Sequence, residues 1–142
     1  MERVHKDFHG ALSCGFKYIA ERYGKESLIE FLKRVAYTVY GDLIQKIKKE
    51  GLKAVEEYWR EIFEIEEGKV EIKRNGNKEI VMKVKECPAL SHLKKRKYPV
   101  YSDFCIQCKI INVVIGEKTG FSSEVISYQQ KGRCVQKFWK EK

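Results

Sequence analysis

Cysteine side chains are concentrated in the last two fifths of this 142-residue sequence. Cys87, Cys105, Cys108 and Cys134 lie there, and Cys14 is the fifth cysteine. The thiolate of cysteine is both a strong nucleophile and a good zinc ligand. The N-terminus has no signal-peptide pattern, so we expect a cytoplasmic protein, in which disulfides are rare. The cysteines are therefore expected to be reduced, metal-bound or catalytic.

The spacing of Cys105 and Cys108, with two residues between them, suits two kinds of chemistry. If a helix begins here, as the pattern predicts, its amides and dipole lower the pKa of Cys105 and make the thiol a nucleophile. The same spacing suits half of a tetrahedral zinc site, for which the fold would have to bring in Cys87 and Cys134. The alternative is that the cysteines are small apolar core residues.

A histidine and a run of basic residues separate Cys87 from Cys105. His92 is a candidate general acid or base, because imidazole titrates near neutral pH. Lys94, Lys95 and Arg96 are candidates to bind the carboxylate of an anionic substrate. For all four residues the alternative is an ordinary solvated surface.

The net charge of +9 is confined to one half of the chain. Residues 1–66 contain 12 basic and 12 acidic side chains, whereas residues 67–142 contain 17 basic and 8 acidic ones. A positive surface attracts anions, either a small carboxylate or a nucleic-acid backbone. The sequence lacks helix-turn-helix, paired zinc-ribbon and ribonucleoprotein motifs, so we rank nucleic acid below a small anionic ligand as the partner.

Apolar residues recur at helical spacing throughout the first half of the chain. They predict one helix over residues 8–23, with Asp7 as its N-cap. His9 is expected to be a partly buried residue of this helix, although His5 and His9, four residues apart, also form a weak metal-site pattern. A second pattern covers residues 28–47, and Gly41 either breaks or bends it. A third covers residues 55–63.

After Gly68 the apolar residues no longer recur at helical spacing and instead alternate with charged residues, as in a half-buried strand. Two hairpins are predicted, one turning at Asn75-Gly76 and one around residues 129–132. A helix from Ser102 or Asp103 to about Glu117 is expected to connect them. The predicted fold class is therefore α+β, a single domain over residues 1–142 with N-terminal helices on one face of an antiparallel sheet of about four strands. The sequence has no apolar run long enough for a membrane span.

The order of these features resembles the L-2-amino-thiazoline-4-carboxylic acid hydrolase family. The resemblance covers most of the chain and depends on three short motifs: Cys87-Pro88 at the end of a hairpin, Phe104-Cys105, and the segment 132–138 that contains Cys134. The chain is also similar, more distantly, to the 4-vinyl reductase small-molecule-binding domain, which shares a late glycine–cysteine–aromatic strand. The resemblance implies that Cys87, Cys105 and Cys134 match positions in the motifs of that family.

The resemblance implies a hydrolase that opens a cyclic amidine carboxylate. Cys105 would attack the electrophilic carbon with Cys87 nearby, and His92 would transfer the proton. Alternatively, zinc held by cysteines from the set Cys87, Cys105, Cys108 and Cys134 would activate water.

Two other functions remain open at the level of sequence. One is a non-catalytic sensor module that binds a small molecule or a metal ion, and the other is a nucleic-acid binder. The sequence is compatible with a homodimer and does not determine the oligomeric state.

Overall fold

The structure is a computed structural model, and it describes residues 5–141. Within these residues, four helices are followed by two strands, two helices and two more strands, and a short 3-10 turn joins the last two strands. The elements are α1 Phe8–Tyr23, α2 Lys25–Val39, α3 Gly41–Glu50, α4 Leu52–Ile65, β1 Lys69–Asn75, β2 Glu79–Glu86, α5 Pro88–Lys95, α6 Ile106–Thr119, β3 Ser122–Tyr128 and β4 Arg133–Trp139.

The predicted helical first half is confirmed, and the long second pattern is divided into two helices. The break falls at Tyr40, which lies between α2 and α3 and has a φ of −101°. Gly51 ends α3 with a φ of 71°, a left-handed value that glycine adopts without steric cost. Asp7 occupies the predicted N-cap position of α1, but its side chain makes no capping bond. Its carboxylate instead accepts a hydrogen bond from His92.

The four strands form one antiparallel sheet with the order β1-β2-β4-β3. Both predicted hairpins are confirmed, since β1 pairs with β2 and β3 pairs with β4. The first turn is one residue longer than an Asn-Gly turn, because Asn75 still pairs with Glu79 across the loop 76–78. Gly76 has the positive φ of 52° that this turn requires.

The helices cover one face of the sheet, as the period change predicts, and α4 and α6 pack directly on it. Strand residues that face the helices are buried, among them Ile80, Met82 and Phe138. A first apolar cluster joins this face to α2, α3, α4 and α6. A second cluster joins α1, α2 and α5 to the start of α6. Cys87 packs against both clusters, so it lies where they meet.

Close packing at the end of α6 depends on a glycine. A Cβ added to Gly116 would lie 2.4 Å from the carbonyl oxygen of Phe121, which is far inside contact distance. The carbonyl of Gly116 also accepts hydrogen bonds from the amides of Gly120 and Phe121, at 2.8 and 2.9 Å. Gly116 therefore allows α6 to end and the chain to turn directly into β3.

We expect Gly116→Ala to destabilise the protein and Gly15→Ala to stabilise it. Both glycines lie inside helices, where alanine gains about 0.5–1 kcal/mol in helix propensity. At Gly15 an added Cβ meets nothing within 4 Å. At Gly116 the overlap with backbone forces a shift that costs about 1–3 kcal/mol, which exceeds the gain. Urea unfolding of both variants measures the difference, and equal effects would contradict this packing.

Candidate ligand cavity

A partly open cavity of about 190 Å³ lies between the inner face of the sheet and the helices. Side chains of α4 and α6 form much of its wall, and the starts of α1 and α5 close one side. Most of the lining is aliphatic or aromatic, including Trp59, Phe63 and Phe138. The volume slightly exceeds the roughly 150 Å³ of a known apolar cavity that accommodates benzene. The space is therefore large enough for a small ring or a short aliphatic chain.

Four cysteines from three separate parts of the chain line this cavity. Cys87 lies between β2 and α5, Cys105 and Cys108 lie at the start of α6, and Cys134 lies on β4. The antiparallel sheet places the end of β2 beside the start of β4, where Val84 pairs with Cys134. All four cysteines therefore line one cavity, while Cys14 is exposed on α1.

Burial keeps these thiols in their neutral form. It raises the pKa of Cys87 to about 11, although the amides of Leu90 and Ala89 at the start of α5 oppose the rise. It also raises the pKa of Cys105, Cys108 and Cys134. The prediction that the helix start lowers the pKa of Cys105 is wrong, because the loss of solvent outweighs it.

The thiols share the cavity without forming a ligand set for zinc. Zinc requires about four donors at about 2.0–2.3 Å in tetrahedral geometry. Between residues 5 and 141, no three histidine, cysteine or acidic side chains are grouped closely enough to hold a metal ion. The residues as placed do not fit zinc, and its binding by Cys87, Cys105, Cys108 and Cys134 stays a prediction that elemental analysis would test.

A buried histidine–glutamate pair supplies the polar part of the cavity wall. His9 Nε2–H donates to Glu66 Oε1 at 2.7 Å, and both side chains are nearly nine-tenths buried. The other ring nitrogen, Nδ1, is buried without a hydrogen-bond partner among the residues described. Tyr40 and Tyr58 also line the cavity, and burial raises the pKa of both phenols. This part of the wall can therefore donate or accept hydrogen bonds.

Sequence reasoning expected His9 to be a partly buried helix residue, and the only site it suggested was a weak metal-binding pattern with His5. Its partner Glu66 lies 57 residues further along the chain, just beyond α4. One polar residue in an apolar helical pattern is a weak signal, because most such histidines are structural. Only the fold brings these two side chains together.

A pair of buried amides fixes the wall beside Cys134. Asn112 on α6 donates from Nδ2 to Gln136 Oε1 on β4 at 2.8 Å. The Nε2 group of Gln136 in turn lies 3.5 Å from the sulfur of Cys134 and donates to it. Because both amides are buried, each needs the other as a partner. The pair therefore holds α6 and β4 in register across the cavity.

The candidate general acid–base His92 does not line the cavity. Its Nε2–H donates to Asp7 Oδ1 at 2.8 Å, on the side of α5 that faces the start of α1. This hydrogen bond joins α5 to the segment before α1, which is a structural contact. The catalytic role predicted for His92 therefore has no support from its position.

The three basic candidates for substrate binding are all exposed, and they differ in position. Arg96 lies 5.8 Å from the ring centre of Tyr98, away from the cysteines. Lys95 lines neither the internal cavity nor the groove described next. Lys94 does line that groove, so only one of the three lies near the thiols.

An open groove of about 920 Å³ lies outside the cavity, between α5, the loop before α6 and the β3–β4 turn. Cys87 and Leu90 line both spaces, so they form the partition between them. Gln129 in the turn fixes the opposite wall. Its Oε1 accepts the amide N–H of Cys105 at 3.0 Å, and its Nε2 donates to the carbonyl of Tyr101 at 3.0 Å.

No protein-family model matches this chain, and neither does any curated protein. Among solved structures, the chain is similar to a mutant H-NOX protein from K. algicida in its Fe(II) unliganded form. The sequence identity is 14% and the TM-score is 0.32. The alignment covers 96% of this chain and 63% of that one, so the chain spans under two thirds of its length. No helix in residues 5–141 has the length and hydropathy of a membrane span.

We expect iodoacetamide at about pH 8 to alkylate Cys14 fast and the four cavity cysteines slowly. Cys14 is exposed. The cavity cysteines are less exposed than Cys14, and their raised pKa values leave little thiolate at this pH. Peptide mass spectrometry over time gives the rate at each position.

Two controls accompany this measurement. Cys14→Ser should remove the fast reaction, and unfolding in urea should make all remaining cysteines react at one rate. Alkylation of Cys105 as fast as Cys14 in the folded protein would restore the activated nucleophile predicted from sequence.

Proposed function

We propose that this chain is a small-molecule-binding module whose ligand occupies the thiol-lined cavity. The observation that supports the proposal is a partly open, largely apolar space of about 190 Å³ with a few polar groups on its wall. Binding sites for small molecules commonly have this composition, in which apolar contacts supply affinity and a few polar groups orient the ligand. Well-packed cores seldom leave a void of this size.

The wall indicates what the ligand should contain. An apolar body of about the size of a benzene ring matches the volume. The unpartnered Nδ1 of His9 favours a ligand with one hydrogen-bonding group, because an unsatisfied buried nitrogen is costly. Neutral thiols make soft, polarisable contacts with such a body. In this proposal the thiols form part of the surface that contacts the ligand, and they take part in no chemical step.

A second candidate function is hydrolysis of a cyclic amidine carboxylate, which the resemblance implies. One observation favours it, which is that Cys87 borders both the cavity and the open groove. The amides of Leu90 and Ala89 lower the pKa of its thiol in opposition to burial. Water or substrate that enters from the groove would solvate the Cys87 thiol and so reduce the effect of burial on its pKa. The two amides would still stabilise the thiolate. Cys87 is therefore a better candidate nucleophile than Cys105.

In that reaction, the Cys87 sulfur would add to the amidine carbon while the thiol proton passes to the ring nitrogen. The bond between that carbon and the ring nitrogen would then break, and the nitrogen would leave as an amine with a second proton from the exocyclic amino group. A water molecule would then displace the sulfur and restore the thiol. Incubation with a thiazoline carboxylate separates the two candidates. Turnover that is lost in Cys87→Ala supports the hydrolase, and the absence of turnover in a protein that binds ligand supports the binding module.

We expect Ile111→Phe to abolish binding of an aromatic probe such as 3-phenylpropan-1-ol. Ile111 is buried and lines the cavity, so a larger side chain there occupies the space. In a Trp139→Phe background, Trp59 is the remaining tryptophan and lies in the cavity wall. Quenching of its fluorescence by the probe therefore reports entry into the cavity.

The matched control is Val113→Phe in the same helix. Val113 is 44% exposed and does not line the cavity, so this variant should bind the probe as the parent does. Circular dichroism checks that both variants fold. Saturable quenching that persists in Ile111→Phe, or no saturable quenching in the parent, would contradict the proposed function.

A further inference from the structure

The groove outside the cavity carries positive charge that the fold leaves unneutralised. Lys94 at the end of α5 and Lys131 in the β3–β4 turn both line it and are exposed. Neither forms an ion pair with any side chain in the described part of the chain. Two lysines that face the same groove without an acidic partner favour an anion there.

The one acidic side chain of the groove is already engaged. Glu86 accepts a hydrogen bond from the hydroxyl of Ser91 at 3.1 Å and lies 3.5 Å from Lys69 Nζ. Lys69 already pairs with Glu86, so the charges of Lys94 and Lys131 are the unpaired ones in the groove. A carboxylate, which has two oxygens that accept hydrogen bonds, can contact both lysines.

The inner cavity is unsuited to the same charge. It holds the carboxylate of Glu66, while Arg133, which also lines it, is an exposed residue at the start of β4. A second buried carboxylate would lose its hydration and be repelled by the first. An acid that uses both spaces must therefore leave its charged group in the groove and place its apolar part in the cavity. Cys87 and Leu90, which border both spaces, mark the place where such a molecule would pass.

We propose that the groove is the entrance to the cavity and a carboxylate-binding subsite. The ligand is then a small carboxylic acid with an aromatic or short aliphatic body, whose carboxylate contacts Lys94 and Lys131. This inference rests on the proposed function, because it names the class of molecule that the cavity binds. It also gives Lys94 the substrate-binding role predicted from sequence, and it assigns none to Lys95 or Arg96.

The test compares two probes that differ only in charge, 3-phenylpropanoate and 3-phenylpropan-1-ol, with Trp59 fluorescence as the readout. The acid should bind the parent protein about five to ten times more tightly than the alcohol, as expected for two partly screened charge pairs. Added salt should reduce this preference. Lys94→Met combined with Lys131→Met should abolish it and leave binding of the alcohol unchanged.

Lys95→Met is the matched control, since Lys95 is the exposed neighbour of Lys94 and lies outside the groove. It should keep the full preference for the acid. Equal affinity for acid and alcohol in the parent, or a preference that survives loss of both groove lysines, would overturn the subsite while the cavity remains a binding site. If neither probe binds, or if both still bind Ile111→Phe, the proposed function itself fails and the subsite with it.

Discussion

Loss of solvent around four thiols is the constraint that governs this site. Cysteine sulfur tolerates an apolar surrounding as long as it is protonated, and the raised pKa values of Cys87, Cys105, Cys108 and Cys134 show that the fold favours this form. If one of them were to ionise, it would need a cation or several amides as partners. Only Cys87 has backbone amides directed at it, from Ala89 and Leu90. Its position at the partition sets it apart from the other three.

The elements around the cavity are tied together by hydrogen bonds that cross it or border it. The amide of Cys87 donates to the carbonyl of Gly132 at 2.8 Å, which joins the end of β2 to the β3–β4 turn. Gln129 in the same turn holds the start of α6. The buried amides of Asn112 and Gln136 hold α6 against β4. With these contacts in place, the two apolar clusters can pack separately and leave a space between them.

The spacing of apolar residues predicted the fold because each helix and strand buries one face, whose residues recur at a regular interval in the sequence. The change of period after Gly68 located the first strand, and the hairpin at Asn75 followed from residues that tolerate positive φ. The CxxC at a helix start was also predicted, since Cys105 immediately precedes α6. The pKa of Cys105 was not predictable in this way. Local helix geometry is visible in a sequence, whereas burial depends on every element that packs over the thiol.

The polar partners of the site were beyond sequence analysis for a related reason. His9 and Glu66 are 57 residues apart, and no spacing rule links them. His92 was attractive because it lies near Cys87 in the sequence, but α5 directs it toward Asp7. Lys94 and Lys95 are adjacent and chemically identical, and only their positions on the last turn of α5 separate a groove residue from an ordinary surface residue.

The central claim is that the cavity is a real, apolar space that accepts a small molecule. Crystals of the reduced protein exposed to xenon test it most directly, because xenon enters apolar cavities of this size without hydrogen bonds. We predict a xenon atom between α6 and the sheet in the parent protein and none in Ile111→Phe. A collapsed space that admits no xenon, or a metal ion bound by the cysteines at that position, would contradict the account.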